Sequence, residues 1–267
     1  SMLSGVYDAG LELNESEDFW RAGAQTSLPL QLRRLGYRSV FWYGGKLTWG
    51  SLQHYLPAVG FDECRDAMEF CPADAPRTWL GIYDHIFLTE AARLIEAEDK
   101  SQPVCHVLYT TSNHGPYKLP LAQLGYDVER VMPEASIAAK QAEMAQRRMG
   151  VFWYTDKALS DFVQRMQDRY PDSLFIVVGD HAMGVIPFEC GVTERHEPTV
   201  REEVCTSFAI SHPGLQAEMF AGNNIGGQMN IMPTLMELIA PAGLEYYSLF
   251  PSLLESLDHI VTPYHWL

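Results

Sequence analysis

Two rhythms of apolar and polar positions alternate along this chain, and the switches between them mark out its elements. Leu28, Leu32 and Leu35 recur at helical spacing within Thr26–Gly36, where Thr26 or Ser27 can cap, Pro29 sits in the first turn and Gly36 stops the run. This predicts a short helix. Arg38–Tyr43 (RSVFWY) is a compact apolar run closed by Gly44-Gly45 and predicts a buried strand. Val104–Tyr109, Leu174–Val178 and Cys205–Ile210 predict three more. Helical periodicity returns in Ala135 to about Met149, in Asp156–Arg169 with Asp156 as cap, and in Asn230–Ile239 with Asn230 as cap and Pro233 in the first turn.

Strands separated by helices require crossover connections. They predict an α/β fold with a mainly parallel central sheet and helices on both faces. No repeat, low-complexity block or flexible linker divides the chain, so residues 1–267 read as one domain. In such sheets ligands bind beyond the carboxyl ends of the strands. Three predicted strands run into polar or glycine-rich segments at that end: Gly44-Gly45, Thr110–Gly115 and Gly179–His181.

Composition narrows the classes of partner. At 47% hydrophobic and 12% aromatic residues, the 267-residue chain can bury a sizeable core. A net charge of -15 excludes a phosphate-backbone or anionic-membrane binding surface, so neither nucleic acid nor a lipid sheet is an expected partner. An anionic small substrate remains compatible where bound cations reverse the local sign. No apolar run is long enough to span a bilayer. The five cysteines show no zinc-type pairing; Cys64 and Cys71 are near enough in sequence to bridge, which geometry decides.

The candidate chemistry sits at the strand ends. Asp180 and His181 end the run FIVVG, where an oxygen and a nitrogen donor can turn onto one ion and Gly179 lets the backbone bend. Equally, Asp180 can cap a turn with His181 as surface. His114, in TTSNHGP, lies on a restricted turn. There it can hydrogen-bond a phosphoryl or sulfuryl oxygen, protonate a leaving group, or simply serve the turn. Thr110, Thr111 and Ser112 lack a local base and read as capping hydroxyls. His196 lies in a polar loop, Trp49 can line a pocket beside Lys46, and Asp84-His85 falls in an apolar helical stretch and reads as structural.

Taken in order, these segments resemble the lipoteichoic acid synthase branch of the sulfatase/alkaline phosphatase superfamily, with its phosphoglycerol and phosphoethanolamine transferases. The resemblance is carried by Leu3-Ser-Gly-Val-Tyr7, Leu35–Gly45 with Val59–Asp62, Gly81-Ile-Tyr-Asp84, Thr111–Tyr117, Val178–His181 and Asn230–Leu235. It implies that Asp180 and His181 ligate a catalytic divalent ion, Mn²⁺ or Zn²⁺, with Mg²⁺ also suited to such donors. His114 is implied as a catalytic and substrate-binding residue, and His196 as substrate-binding; Trp49, from its place after the first strand, is a further substrate-binding candidate. The implied substrate is an anionic phosphate or sulfate ester, such as a lipid head group, handled at the extracytoplasmic face of a bacterial membrane. The family's nucleophilic threonine and a glutamate ligand precede the segment matched by Leu3–Gly5, so both are expected upstream of this chain, together with a membrane anchor. The resemblance thus implies a domain lacking its first strand and helix, and an ion weakly held by the pair alone. Gly44–Gln53 lacks the family's arginine. A non-catalytic binding or scaffolding domain of the same fold is the alternative reading. A phosphoglycerate mutase-like enzyme would need a second Asp/His set.

Overall fold

Arg38–Tyr43 forms a strand, β1, buried from Ser39 onward. In the computed structural model, which describes residues 1–8, 10–99, 101–135, 140–182, 196–197, 199–220 and 226–257, β1 is the middle of a three-stranded parallel sheet. Its neighbours are β2 (Glu63–Asp66) and β3 (Val104–Tyr109). Val40 pairs with Glu63 and Arg38 with Val104. The chain divides into two compact units, each built from separated segments; residues 1–70, 97–109 and 215–267 make the first.

In the first unit, α1 (Glu17–Ala22) and α2 (Leu28–Arg33) precede β1, and α3 (Leu52–Val59) is the crossover to β2. Short α4 (Ala67–Phe70) follows β2. Phe41 and Tyr43 pack with Phe19, Tyr55, Leu56, Val59 and Phe61 in one core cluster. Each such side chain contributes about 1.5–3 kcal/mol on burial. Gly60 ends α3 at φ 100, and a side chain there would collide with Leu30.

Trp42, fully buried, meets a polar group instead. Its indole N–H donates to His106 Nδ1 at 3.1 Å, and the Arg65 guanidinium lies 4.3 Å over its ring. Arg38 and Arg65 each pair with both Glu63 and Glu98. An indole N–H can only donate, so His106 Nδ1 must carry a lone pair. Burial, with Arg38 and Arg65 adding to it, holds this ring's pKa down at about 4. The charged residues of β2 also hid it from the hydrophobic pattern: Glu63 and Arg65 belong to this network.

In the second unit, residues 71–96 and 110–214, the polar start of α5 (Asp84–Ala97) leads into a buried face of Phe87, Leu88, Ala91, Ala92 and Ile95. After the short α6 (Val128–Val131), a single helix α7 runs Glu143–Arg169 where two helices were expected. Asp156 is therefore helix interior and caps nothing. Gly150 does not break this helix, because it serves a close contact: a Cβ there would lie 2.3 Å from Leu121 Cδ1. Strand β4 (Phe175–Val178) pairs antiparallel with β5 (Phe208–Ser211), which starts later than the apolar run suggested; α8 (Val200–Val204) precedes it.

The last helix, α9 (Ile231–Ile239), belongs to the first unit. Neither expected cap is made by a side chain on its own helix. Asn230 accepts from Gly227 N–H and donates to Pro251 O, and Ser27 precedes α2 without a capping bond. Cys64 and Cys71 are free thiols, so no bridge joins them. Among the described residues no helix is long and apolar enough to cross a membrane. The architecture is the expected α/β fold with a parallel sheet and helices.

Candidate active site

The end of β1 is aromatic. Trp49 stacks on Tyr43 with centroids 6.1 Å apart, and Tyr43 lies 5.5 Å from Tyr109 at the end of β3. Trp49 and Tyr109 line a cleft of about 510 Å³ with Asp8, Asn14 and Tyr55. The Tyr43 hydroxyl is buried without a hydrogen-bond partner among the described residues, and burial, with Asp66 nearby, drives its pKa far up. Trp49 is 41% exposed.

Beyond β3 the chain enters the turn that carries His114. Two amides at its start, those of Thr111 and Ser112, donate to Asp84 Oδ1 at 3.1 and 3.0 Å. Thr155 Oγ1 donates to Asp84 Oδ2 at 3.3 Å, and Asp84 N–H donates to Ser112 Oγ. Asp84, Thr111 and Ser112 are all buried. Burial raises the Asp84 pKa, while bonds from Thr111, Ser112 and Thr155 pull the other way. The neighbouring His85 Nδ1 meets Tyr154 Oη at 2.7 Å. The Asp84-His85 pair is thus structural, as expected, and Thr111 and Ser112 are tied to it rather than poised to attack.

Past His114, the Gly115–Pro116 bond is cis, Tyr117 takes a left-handed φ of 58, and Tyr117 N–H donates to His114 O. His114 Nδ1 lies 2.9 Å from Gly115 O, and the Trp79 indole N–H donates to the same oxygen at 2.8 Å. The two rings meet edge to face with centroids 5.2 Å apart. Trp79 is 63% exposed. No local pattern singles it out, because its partners lie 35 and 36 positions away and no spacing links them.

At the end of β4, Gly179 N–H donates to Ser207 O, and a Cβ on Gly179 would fall 1.8 Å from Thr206 Oγ1. Glycine there follows from this close approach. Asp180 and His181 come next with side chains 54% and 60% exposed. His181 N–H donates to Asp180 Oδ1 at 2.9 Å, and His181 Nε2 lies 3.6 Å from Asp180 Oδ2. Ligands about 2.0–2.1 Å from a tetrahedral ion sit about 3.4 Å apart, so this oxygen and nitrogen fit one ion. Among the described residues no third His, Cys, Asp or Glu completes a cluster with them. His196 Nε2 instead meets both Glu202 oxygens at 2.9 and 3.0 Å. Bonds from Thr199 and His196 draw the Glu202 pKa down to about 2. His114, Asp180, His181 and His196 all belong to the second unit, and Trp49 to the first.

The fold recurs in solved structures. A lipoteichoic acid synthase, LtaP from Listeria monocytogenes, matches with a TM-score of 0.70 at 20% identity over 94% of this chain and 63% of that one. The C-terminal periplasmic domain of EptC from Escherichia coli, in complex with Zn, matches with a TM-score of 0.63 at 16% identity over 91% and 70%. The phosphoglycerol transferase GacH of Streptococcus pyogenes, in complex with sn-glycerol-1-phosphate, gives 0.50 at 13% over 88% and 62%. This chain therefore spans somewhat under two thirds of the length of LtaP. The sulfatase family model matches residues 1–240. The chain belongs to the sulfatase family, with an alkaline phosphatase-like fold shared with phosphoglycerol and phosphoethanolamine transferases.

Proposed function

We propose that residues 1–267 form most of one catalytic domain of a metal-dependent transferase or hydrolase of phosphate or sulfate esters. The observation that carries this reading is the placement of Asp180 Oδ2 and His181 Nε2 within 3.6 Å at a strand end. Asp180 and His181 would hold the ion, Mn²⁺ or Zn²⁺; EptC, a neighbour in fold, is known with Zn. When bound, a divalent cation supplies Lewis-acid stabilisation of charge developing on the ester oxygens. His114 serves catalysis and substrate binding by contacting the phosphoryl or sulfuryl group or the leaving oxygen. Trp49 and His196 are further substrate-binding residues in this reading.

The substrate class is supported by the family and by neighbours such as GacH, solved in complex with sn-glycerol-1-phosphate. An ester bearing a lipid head group, processed on the extracytoplasmic face of a bacterial membrane, fits this company. The nucleophile and a further acidic ligand are assigned to sequence upstream of Leu3, as is any membrane anchor.

The test is a protein extended upstream of Leu3, loaded with Mn²⁺ or Zn²⁺ and assayed on a phosphodiester and on a sulfate ester. Asp180→Ala or His181→Ala should lower turnover at least a hundredfold and weaken metal binding. Unchanged turnover and metal affinity in both variants would sink the assignment and leave the non-catalytic binding domain as the better reading.

A further inference from the structure

Two elements of the second unit converge on His114, one from each side of its turn. Asp84, at the start of α5, takes the amide protons of Thr111 and Ser112 before the histidine. Trp79 donates its indole N–H to Gly115 O immediately after it. That same carbonyl oxygen is the partner of His114 Nδ1 at 2.9 Å. A carbonyl oxygen accepts and cannot donate, so this contact requires the proton on Nδ1. With one ring nitrogen engaged and the Trp79 and His114 rings meeting edge to face, Nε2 is the nitrogen left for a ligand.

We propose that Trp79 and Asp84 are positioning residues that lock His114 in its Nδ1–H form and present Nε2 to the ester. Carrying a second proton, Nε2 donates to an anionic ester oxygen; without it, Nε2 accepts from a hydroxyl. Asp84 fixes the backbone from which the ring departs, through two buried amides. Trp79 fixes the carbonyl that orients the ring. Free imidazole favours the opposite tautomer, so the lock has a signature that mere folding does not produce. Presentation of Nε2 to an ester rests on the function proposed above; the tautomer does not.

The experiment uses the full chain with ¹⁵N-labelled histidine rings, observed by long-range ¹H–¹⁵N correlation at about pH 8.5, some two units above the ordinary imidazole pKa. The His114 signals are assigned by their loss in His114→Gln. The wild-type ring should show Nδ1 protonated and Nε2 bare. Trp79→Phe should convert it to a mixture weighted toward Nε2–H, with the other histidines unmoved. Asp84→Asn, whose amide oxygen can accept the same two backbone protons, should keep the wild-type pattern, and a folded Asp84→Ala should lose it. A wild-type ring protonated at Nε2, or a Trp79→Phe ring indistinguishable from wild type, would overturn the lock. A folded Asp84→Ala with the wild-type pattern would remove Asp84 from it. In the extended, metal-loaded enzyme, unchanged turnover by His114→Gln would sink the role of Nε2 even where the tautomer is as stated.

Discussion

His106 and His114 stand eight residues apart in the sequence, each beside a tryptophan, and the two tryptophans use their N–H groups oppositely. Trp42 donates directly into the His106 ring, which forces Nδ1 to be the lone-pair nitrogen. Trp79 donates to the Gly115 carbonyl, and that oxygen, which can only accept, calls for the proton on His114 Nδ1. The first ring is buried among arginines and held neutral; the second is exposed on a turn whose base is buried. A histidine's use thus depends less on its residue type than on what its back nitrogen meets. His106 is kept for the core, whereas His114 keeps an exposed edge.

The sharpest way to break the His114 side is Asp84→Ala. It strands two buried amides and should lower stability by about 4 kcal/mol, read from the urea midpoint, with Asp84→Asn well under half of that. The His106 side breaks with acid. An unfolded imidazole titrates near 6.5 and the folded one near 4, so on acidification the unfolded chain takes up the proton first. Stability from the neutral ring is complete above about pH 6.5 and is lost as pH falls toward 4, by about 3 kcal/mol at most. Denaturation midpoints of wild type and His106→Gln across that range should converge at low pH.

The tryptophans give the next contrast. Trp42→Phe opens a gap in the sheet face and removes the donor to His106, costing about 2 kcal/mol. Trp79→Phe should cost about 1 kcal/mol or less, because its ring is mostly in water. Equal costs would erase the distinction between the core histidine and the exposed one. Smallest is the response to metal. Zn²⁺ at a free concentration equal to its Kd should stabilise the chain by about 0.4 kcal/mol in thermal unfolding, an effect removed by His181→Ala and kept by His114→Gln. Loss of the effect in His114→Gln would make the turn and the Asp180–His181 pair a single site.

Much of the scaffold was legible from short-range pattern. Arg38–Tyr43 and Val104–Tyr109 are strands with the bounds the apolar runs set, because burial on a parallel sheet selects such runs directly. Strand β2 was not legible, since Glu63 and Arg65 answer to Arg38 and Glu98 rather than to a core. Helix α7 joins two stretches that the pattern separates, because Asp156 has the residue type of a cap and only the structure sets it inside the helix. Of the candidate site, Asp180, His181 and His114 could be proposed because strand ends and Gly-Pro turns are local signals. The clamp on His114 could not: Asp84 reaches 27 and 28 residues along the chain and Trp79 reaches 36, distances at which no periodicity survives.

The edge-to-face contact of Trp79 with His114 also makes the protein its own optical probe. Indole emission is quenched by a protonated imidazole at contact distance and shifts when water leaves the ring. An anion arriving at His114 should therefore change the fluorescence of a tryptophan that is 63% exposed, while Trp42, sealed in the sheet, stays dark to the event. Subtracting the Trp79→Phe spectrum isolates that signal. Ligands for this turn can then be screened by light, with neither turnover nor a bound metal required.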